Sequence, residues 1–355
     1  MIKSSGNREW GKGNGGDDMP FTEIVGHQKQ LEVLGRSLEG NRLHHAYLFL
    51  GPDGVGKRTV ALSLAAVIHC SFGDHDSCGR CETCLSIRDG NHPDVRVIKP
   101  EPGKREITIR QMRDLQRQLE FRSFSGKKKI AIIDPAHLMN IPAQNSLLKT
   151  LEDPPGDALL ILISNNTASL LSTVLSRCLR LYFSFISVEE TAGFLEGRKG
   201  IAPEKAKLLA ALTGGSLGEA LNCDENKLLD QRKRWIERFS SLSQGNHRGV
   251  MALAEEMAAD RELSLQVVQW VEGWYRDILI HQMTGPEGEI RNTDMGEKIH
   301  EAASTHPFKH TLSVLSWIGR VKGELQRNYN RRLILENFLI KLVDRNPCGP
   351  GAVPT

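Results

Sequence analysis

The sequence predicts a doubly wound α/β domain followed by an all-helical remainder, and three observations carry that prediction. Short apolar runs stand at 46–50 (AYLFL), 130–133 (IAII) and 158–163 (ALLILI), and the last two end in Asp134 and in Ser164-Asn165-Asn166. Buried parallel strands with functional groups at their carboxyl ends have this pattern. The first run ends in GPDGVGK and leads into a helical pattern through Val60, Leu64, Val67 and Ile68, the order strand, phosphate-loop turn, helix. From about residue 228 onward the apolar residues recur only at helical spacing.

Taken in order, residues 1–18 are Gly-rich, polar and without periodicity, and they read as disordered, with Met19 opening the first patterned segment and offering a second possible start of translation. That opening has no apolar core of a signal peptide, and no stretch reaches the roughly 18 apolar residues of a membrane span; both point to the cytoplasm. A chain of 355 residues exceeds one compact core. Its net charge of +3 is too small for a dedicated nucleic-acid binder and leaves room for local basic patches.

Between the second and third apolar runs, Ile141–Leu151 reads as a helix stopped by Asp153-Pro154-Pro155. The α/β pattern extends to about residue 186, and 187–225 becomes two or three short helices around Thr213-Gly214-Gly215-Ser216. Three stripes follow: Leu263, Val267, Trp270, Val271, Trp274 and Ile278; Leu312, Leu315, Ile318, Val321 and Leu325; Ile334, Phe338 and Leu342. Each is read as helical core. The tail after Asn346 reads as unstructured, and no internal repeat is present.

Gly51-Pro-Asp-Gly54-Val-Gly56-Lys57 is a phosphate loop in the right context. Glycines let backbone N–H groups wrap phosphate oxygens, and the lysine reaches the outer phosphates. The next position calls for a Ser or Thr hydroxyl on magnesium, and here it is Arg58; Thr59 comes one residue late and points about 100° away on a helix. Asp134 ends the second apolar run, where a magnesium-binding aspartate belongs. The following position, where a glutamate would polarise the attacking water, is Pro135. Nucleotide binding is left open while hydrolysis is expected to be lost, unless an acid from elsewhere substitutes.

Seven cysteines are present, and Cys70, Cys78, Cys81 and Cys84 fall within fifteen residues. Four thiolates at this spacing, with tight turns at Gly79-Arg80 and Glu82-Thr83, close a tetrahedral site of the structural zinc kind. Disulfides, unrelated thiols and an iron–sulfur cluster are the alternatives. His69, His75 and His92 stand nearby as further possible ligands. Arg177, in Ser176-Arg177-Cys178, is on chemistry alone better read as a surface salt-bridge residue than as a functional one. Residues 96–129 hold eleven Lys/Arg against four Asp/Glu, with Arg110, Arg113 and Arg117 on a ridge opposite Met112, Leu115 and Leu119. Phosphate-backbone contact and an ordinary solvated face both fit that ridge.

RLHHAYLFLGPDGVGK, the CxxCxxC insertion, QNSLLKTLEDPP and SRC, in that order, resemble the bacterial clamp-loader AAA+ proteins. These comprise the gamma/tau and delta-prime subunits of DNA polymerase III and, more distantly, replication factor C. The resemblance, from about Met19 to Asp344, implies an α/β RecA-like AAA+ domain (19–186) with an inserted zinc module (about 70–84), an all-α lid (187–226) and an all-α collar domain (227–345). It places an active subunit's γ-phosphate-sensing arginine at Gly218. The losses at Arg58, Pro135 and Gly218 resemble the non-hydrolysing, delta-prime-like members. In those, the SRC arginine, here Arg177, acts in trans on the ATP site of a neighbouring gamma subunit. Asn165 matches a sensor position. The implied partners are gamma/tau and delta subunits, the sliding clamp and primer–template DNA. The competing readings are an active gamma/tau-like ATPase and a zinc-dependent nucleic-acid-binding module on the same fold.

Overall fold

The computed structural model describes residues 20–73, 76–240, 242, 246–326 and 329–343. His75, Cys348 and the segments read as disordered (1–18 and 346–355) lie outside them. The chain forms two compact units. One runs to Ile201 and includes Gly215–Leu221; the other comprises Ala202–Gly214 and the residues from Asn222 onward.

The first unit is built on five parallel strands: β1 (Ala46–Leu50), β2 (Val95–Ile98), β3 (Lys129–Ile133), β4 (Ala158–Ser164) and β5 (Leu179–Tyr182), in spatial order β2-β3-β4-β1-β5. Alternate residues of β1 feed two cores. Tyr47 and Phe49 pack with α1 (Gln28–Glu39) and α2 (Lys57–His69) on one face. Ala46, Leu48 and Leu50 pack with α4 (Ile109–Glu120) and α5 (Ile141–Glu152) on the other. Burial on both faces explains why these strands read as continuous apolar runs rather than alternating ones. The short helix α3 (Glu82–Arg88) follows the cysteine cluster, α6 (Ser172–Leu175) precedes Arg177, and α7 (Val188–Lys199) and α9 (Leu217–Asn222) come after the sheet.

Strands β2 and β5 were not expected from the sequence. Each has only four residues, VRVI and LRLY, and lies at a sheet edge with residues open to solvent. The arginine in each interrupts the apolar run that marked the central strands.

The second unit is helical: α8 (Pro203–Leu212), α10 (Glu225–Ser240), α11 (His247–Ala258), α12 (Arg261–Thr284), α13 (Gly296–Thr305), α14 (Phe308–Gln326) and α15 (Arg331–Val343). The stripe on α12 is buried from Val267 to Ile278, as its spacing predicts. The stripe on α14 is shifted: Leu312 is 44% exposed, and Val314 takes its place beside Ile318, Val321 and Leu325. On α15 the core residues are Leu335, Phe338 and Leu339. Periodicity alone does not distinguish two faces that both carry leucines. A buried polar knot also ties this unit together. Asp277 accepts the backbone N–H groups of Arg291 (3.0 Å) and Asn292 (2.8 Å), and Arg232, fully buried, donates to Asn292 and Asp294.

Candidate functional site

The phosphate loop forms where β1 leaves the sheet, between Leu50 and α2. Its glycines are required by close approach: a Cβ on Gly51 would meet the Phe183 carbonyl oxygen at 2.1 Å, and one on Gly54 would meet Ser216 Oγ at 2.3 Å. The loop's polar groups are bonded within the chain. Buried Lys57 donates from Nζ to the Gly51 carbonyl (2.6 Å) and to the Pro52 carbonyl. Its pKa is lowered by burial, with Asp53 and Asp134 opposing. His27 Nε2 contacts the Val55 carbonyl at 2.6 Å, and Asn165 donates to the carboxylate of Asp53.

Arg58, in the place of the magnesium-binding hydroxyl, points its guanidinium at Asp134, with Nη1 3.7 Å from Oδ2. Burial raises the pKa of Asp134, and Arg58, Lys99 and Lys57 pull it back. A positive charge from the chain itself thus faces the carboxylate that would hold a cation. Thr59 is half-buried in the first turn of α2, and Pro135 adds no acid. Gly218 donates its N–H to the Gly54 carbonyl at 2.8 Å. A Cβ there would stand 3.0 Å from that oxygen, so position 218 backs directly onto the loop.

Cys70 caps the C-terminus of α2, Cys81 is the N-cap of α3 and Cys84 sits in its first turn. The Glu82-Thr83 pair, expected as a tight turn, therefore opens a helix instead. The ligand sulfurs of Cys70, Cys78, Cys81 and Cys84 all lie within 4.8 Å of one another. The N–H groups of Cys78, Cys81 and Cys84 point at the sulfurs of Cys70, Cys78 and Cys81, each at 3.4 Å. Burial opposes thiolate formation at Cys81, but the Cys84 N–H and neighbouring thiols overcome it and bring its pKa down to about 6. Four convergent sulfurs with N–H donors behind them could hold a metal ion.

His69, His92 and Asp94 make a second buried cluster whose ligand atoms lie within 4.8 Å. Its hydrogen bonds give it a structural job. The Asp94 carboxylate accepts the N–H groups of Phe124 and Ser125, each at 2.8 Å, and the hydroxyl of Ser123 at 2.9 Å. His92 Nδ1 accepts the Asp94 N–H at 3.2 Å, so that lone pair is already used. These donors overcome the burial of Asp94 and hold its pKa near 2. A depressed carboxylate pKa stabilises the fold above the unfolded value near 3.8 and is lost as pH falls through about 2. Asp94→Asn is therefore expected to cost about 2 kcal/mol at neutral pH, a cost that shrinks between about pH 4 and pH 2. Urea unfolding of both proteins across that range measures it.

Arg177 and the phosphate loop lie at opposite ends of the neighbouring strands β5 and β1. Leu179 is level with Tyr47 and Tyr182 with Leu50. Arg177 thus precedes the strand's start while the loop follows its end, roughly 15 Å apart for a five-residue strand. Its guanidinium pairs with Glu152 of the LEDPP segment, a contact between residues 25 apart that no local sequence pattern signals. Arg110, Arg113 and Arg117 are exposed on α4, with Met112, Leu115 and Leu119 buried beneath. Among the described residues no helix is long and apolar enough to cross a membrane.

Fold and site together define a parallel α/β protein of the phosphate-loop kind, with a helical second unit and a four-thiol, metal-capable module. The family models described as DNA polymerase III, delta subunit, and its C-terminal counterpart match residues 26–187 and 226–344. The chain is 32% identical to DNA polymerase III subunit delta-prime of Pseudomonas aeruginosa, over 90% of this chain and 98% of that one. It is 29% identical to the delta-prime subunit of Bacillus subtilis, over 88% of this chain and 94% of that one. With DNA polymerase III subunit tau of Escherichia coli it shares 32% identity over 69% of this chain and 37% of that one. The chain belongs to the DNA polymerase III delta-prime family of clamp-loader subunits.

Proposed function

We propose that this chain is the non-hydrolysing subunit of a clamp loader, lending Arg177 to the ATP site of a neighbouring gamma-class subunit while its own phosphate loop stays idle. The observation that carries this reading is the separation of the two features along the strands. An arginine before β5 is remote from the loop after β1, so it can serve a triphosphate presented by another subunit and not its own. The internal bonding of Lys57, the Arg58–Asp134 approach and the missing acid at Pro135 support loss of hydrolysis. They also tell against a gamma/tau-like motor.

In this reading the four cysteines hold one structural zinc ion, the donor set that suits a closed tetrahedral site. The lid (187–226) and collar (227–345) divide the helical part by role, the collar binding gamma/tau and delta subunits. The assembly supports ATP-dependent loading of the sliding clamp onto primer–template DNA. The exposed ridge of Arg110, Arg113 and Arg117 suits phosphate-backbone contact, although Arg117 lies 3.6 Å from Asp114 and shares part of its charge.

An ATPase assay of the chain alone, then mixed with gamma-class subunits, tests the proposal. The chain alone is expected to show no DNA-stimulated turnover and to raise that of the mixture. Turnover by the chain alone, abolished by Lys57→Ala, would replace this reading with the motor.

A further inference from the structure

We propose that Glu152 is the positioning residue for Arg177, holding the guanidinium in the posture from which it meets a neighbour's phosphate; this rests on the trans role proposed above. Arg177 Nε donates to Glu152 Oε1 at 2.9 Å, and Nη2 donates to the same oxygen. Nη1 donates to the Thr173 carbonyl at 2.8 Å and lies 3.4 Å from Ser176 Oγ. A guanidinium has five N–H groups. With these contacts made, one hydrogen on Nη2 is left for an incoming anion.

The backbone beneath the arginine is pinned from the same helix. Gln144, buried two turns before Glu152 on α5, donates from Nε2 to the Ser169 carbonyl at 2.9 Å and accepts the Leu171 N–H at 2.8 Å. Cys178, the residue after Arg177, is buried and anchors the chain there. One helix therefore fixes both the start of the segment that carries the arginine and the arginine's head group.

Stability does not explain the pair. The side chains are 32% and 53% exposed, and exposed ion pairs contribute little to folding. What the pair does is restrict orientation. A free arginine must lose rotamer freedom when it meets the γ-phosphate, and one already held loses less. Because charge grows on the phosphate in the transition state, the benefit belongs to turnover rather than to ATP binding.

The test is a double-mutant cycle in the assembled complex with its gamma-class partner. Glu152→Ala is expected to lower single-turnover hydrolysis at the site facing Arg177 by about 3- to 10-fold with ATP binding unchanged. The fall should disappear when Arg177 is already alanine, so that the double variant equals Arg177→Ala alone. Glu152→Gln, which keeps an acceptor oxygen for Nε, should recover most of the rate. Co-purification with the partner checks that each variant is folded and assembled. An unchanged or faster Glu152→Ala complex overturns the proposal, and so does an equal loss in the alanine-177 background. If Arg177→Ala alone leaves turnover intact, the trans role fails and the positioning role falls with it; if only Glu152→Ala is silent, the trans role stands.

Discussion

Replacing Arg177 by alanine is expected to leave the chain folded and assembled and, through the proposed trans role, to lower ATP turnover at the neighbouring subunit's site by about 10³-fold, the lower end of what trans arginines supply. That corresponds to about 4 kcal/mol of transition-state stabilisation. Folding is spared because the side chain is partly exposed and its ion pair with Glu152 lies at the surface. Total turnover of a complex with several ATP sites falls by less, since only the site facing Arg177 loses its arginine. Single-turnover measurement on the reconstituted complex, with clamp loading followed in parallel, resolves that one site. Lysine is expected to be a poor substitute, because a point ammonium cannot accept the Glu152 tether and present a second donor from one plane. Unchanged turnover in the alanine variant would refute the trans role.

Removal of the proposed zinc ion is expected to have the other large effect, on stability. Wild-type protein purified without chelator should carry about one zinc per chain, and Cys84→Ser should carry almost none. Structural zinc contributes on the order of 10 kcal/mol through its thiolates. The segment's helix α3 has only seven residues, and its N-cap is itself one of the four thiols, Cys81. Cys70, Cys84 and Ile87 also belong to the core over one face of the sheet, so loss of the ion exposes part of that core. The expected result is a lower melting temperature and protease cleavage between residues 70 and 88. Cys223→Ser, in the second part of the chain, serves as the control and should keep its zinc. A fully folded, metal-free wild type would overturn the assignment.

Much of this was legible because it is locally encoded. The phosphate loop, the cysteine quartet and the aspartate after β3 depend on residue type and short spacing, which translate directly into turn and helix geometry. The central strands were legible because burial on both faces leaves an unbroken apolar run. The edge strands β2 and β5 were not, since half-exposed four-residue segments carry too little pattern. Nor was the bond from Gly218 to Gly54, which closes the glycine position onto the loop across more than 160 residues of chain. The hydrogen bonds of Asp94 to residues 123–125 and the burial of Arg232 are of the same kind. A charged residue in the sequence gives no sign that partners distant in the chain will enclose it.

The chemical make-up of each motif is legible in the sequence: phosphate-wrapping glycines followed by Arg58 and, later, Asp134-Pro135, four closely spaced thiols, one arginine in a distinctive triplet. Tertiary structure alone decided which motif faces which. In a parallel sheet, residues entering a strand and residues leaving its neighbour stand at opposite ends of the strands. The register of β5 on β1 therefore sends Arg177 away from its own phosphate loop and beside Glu152.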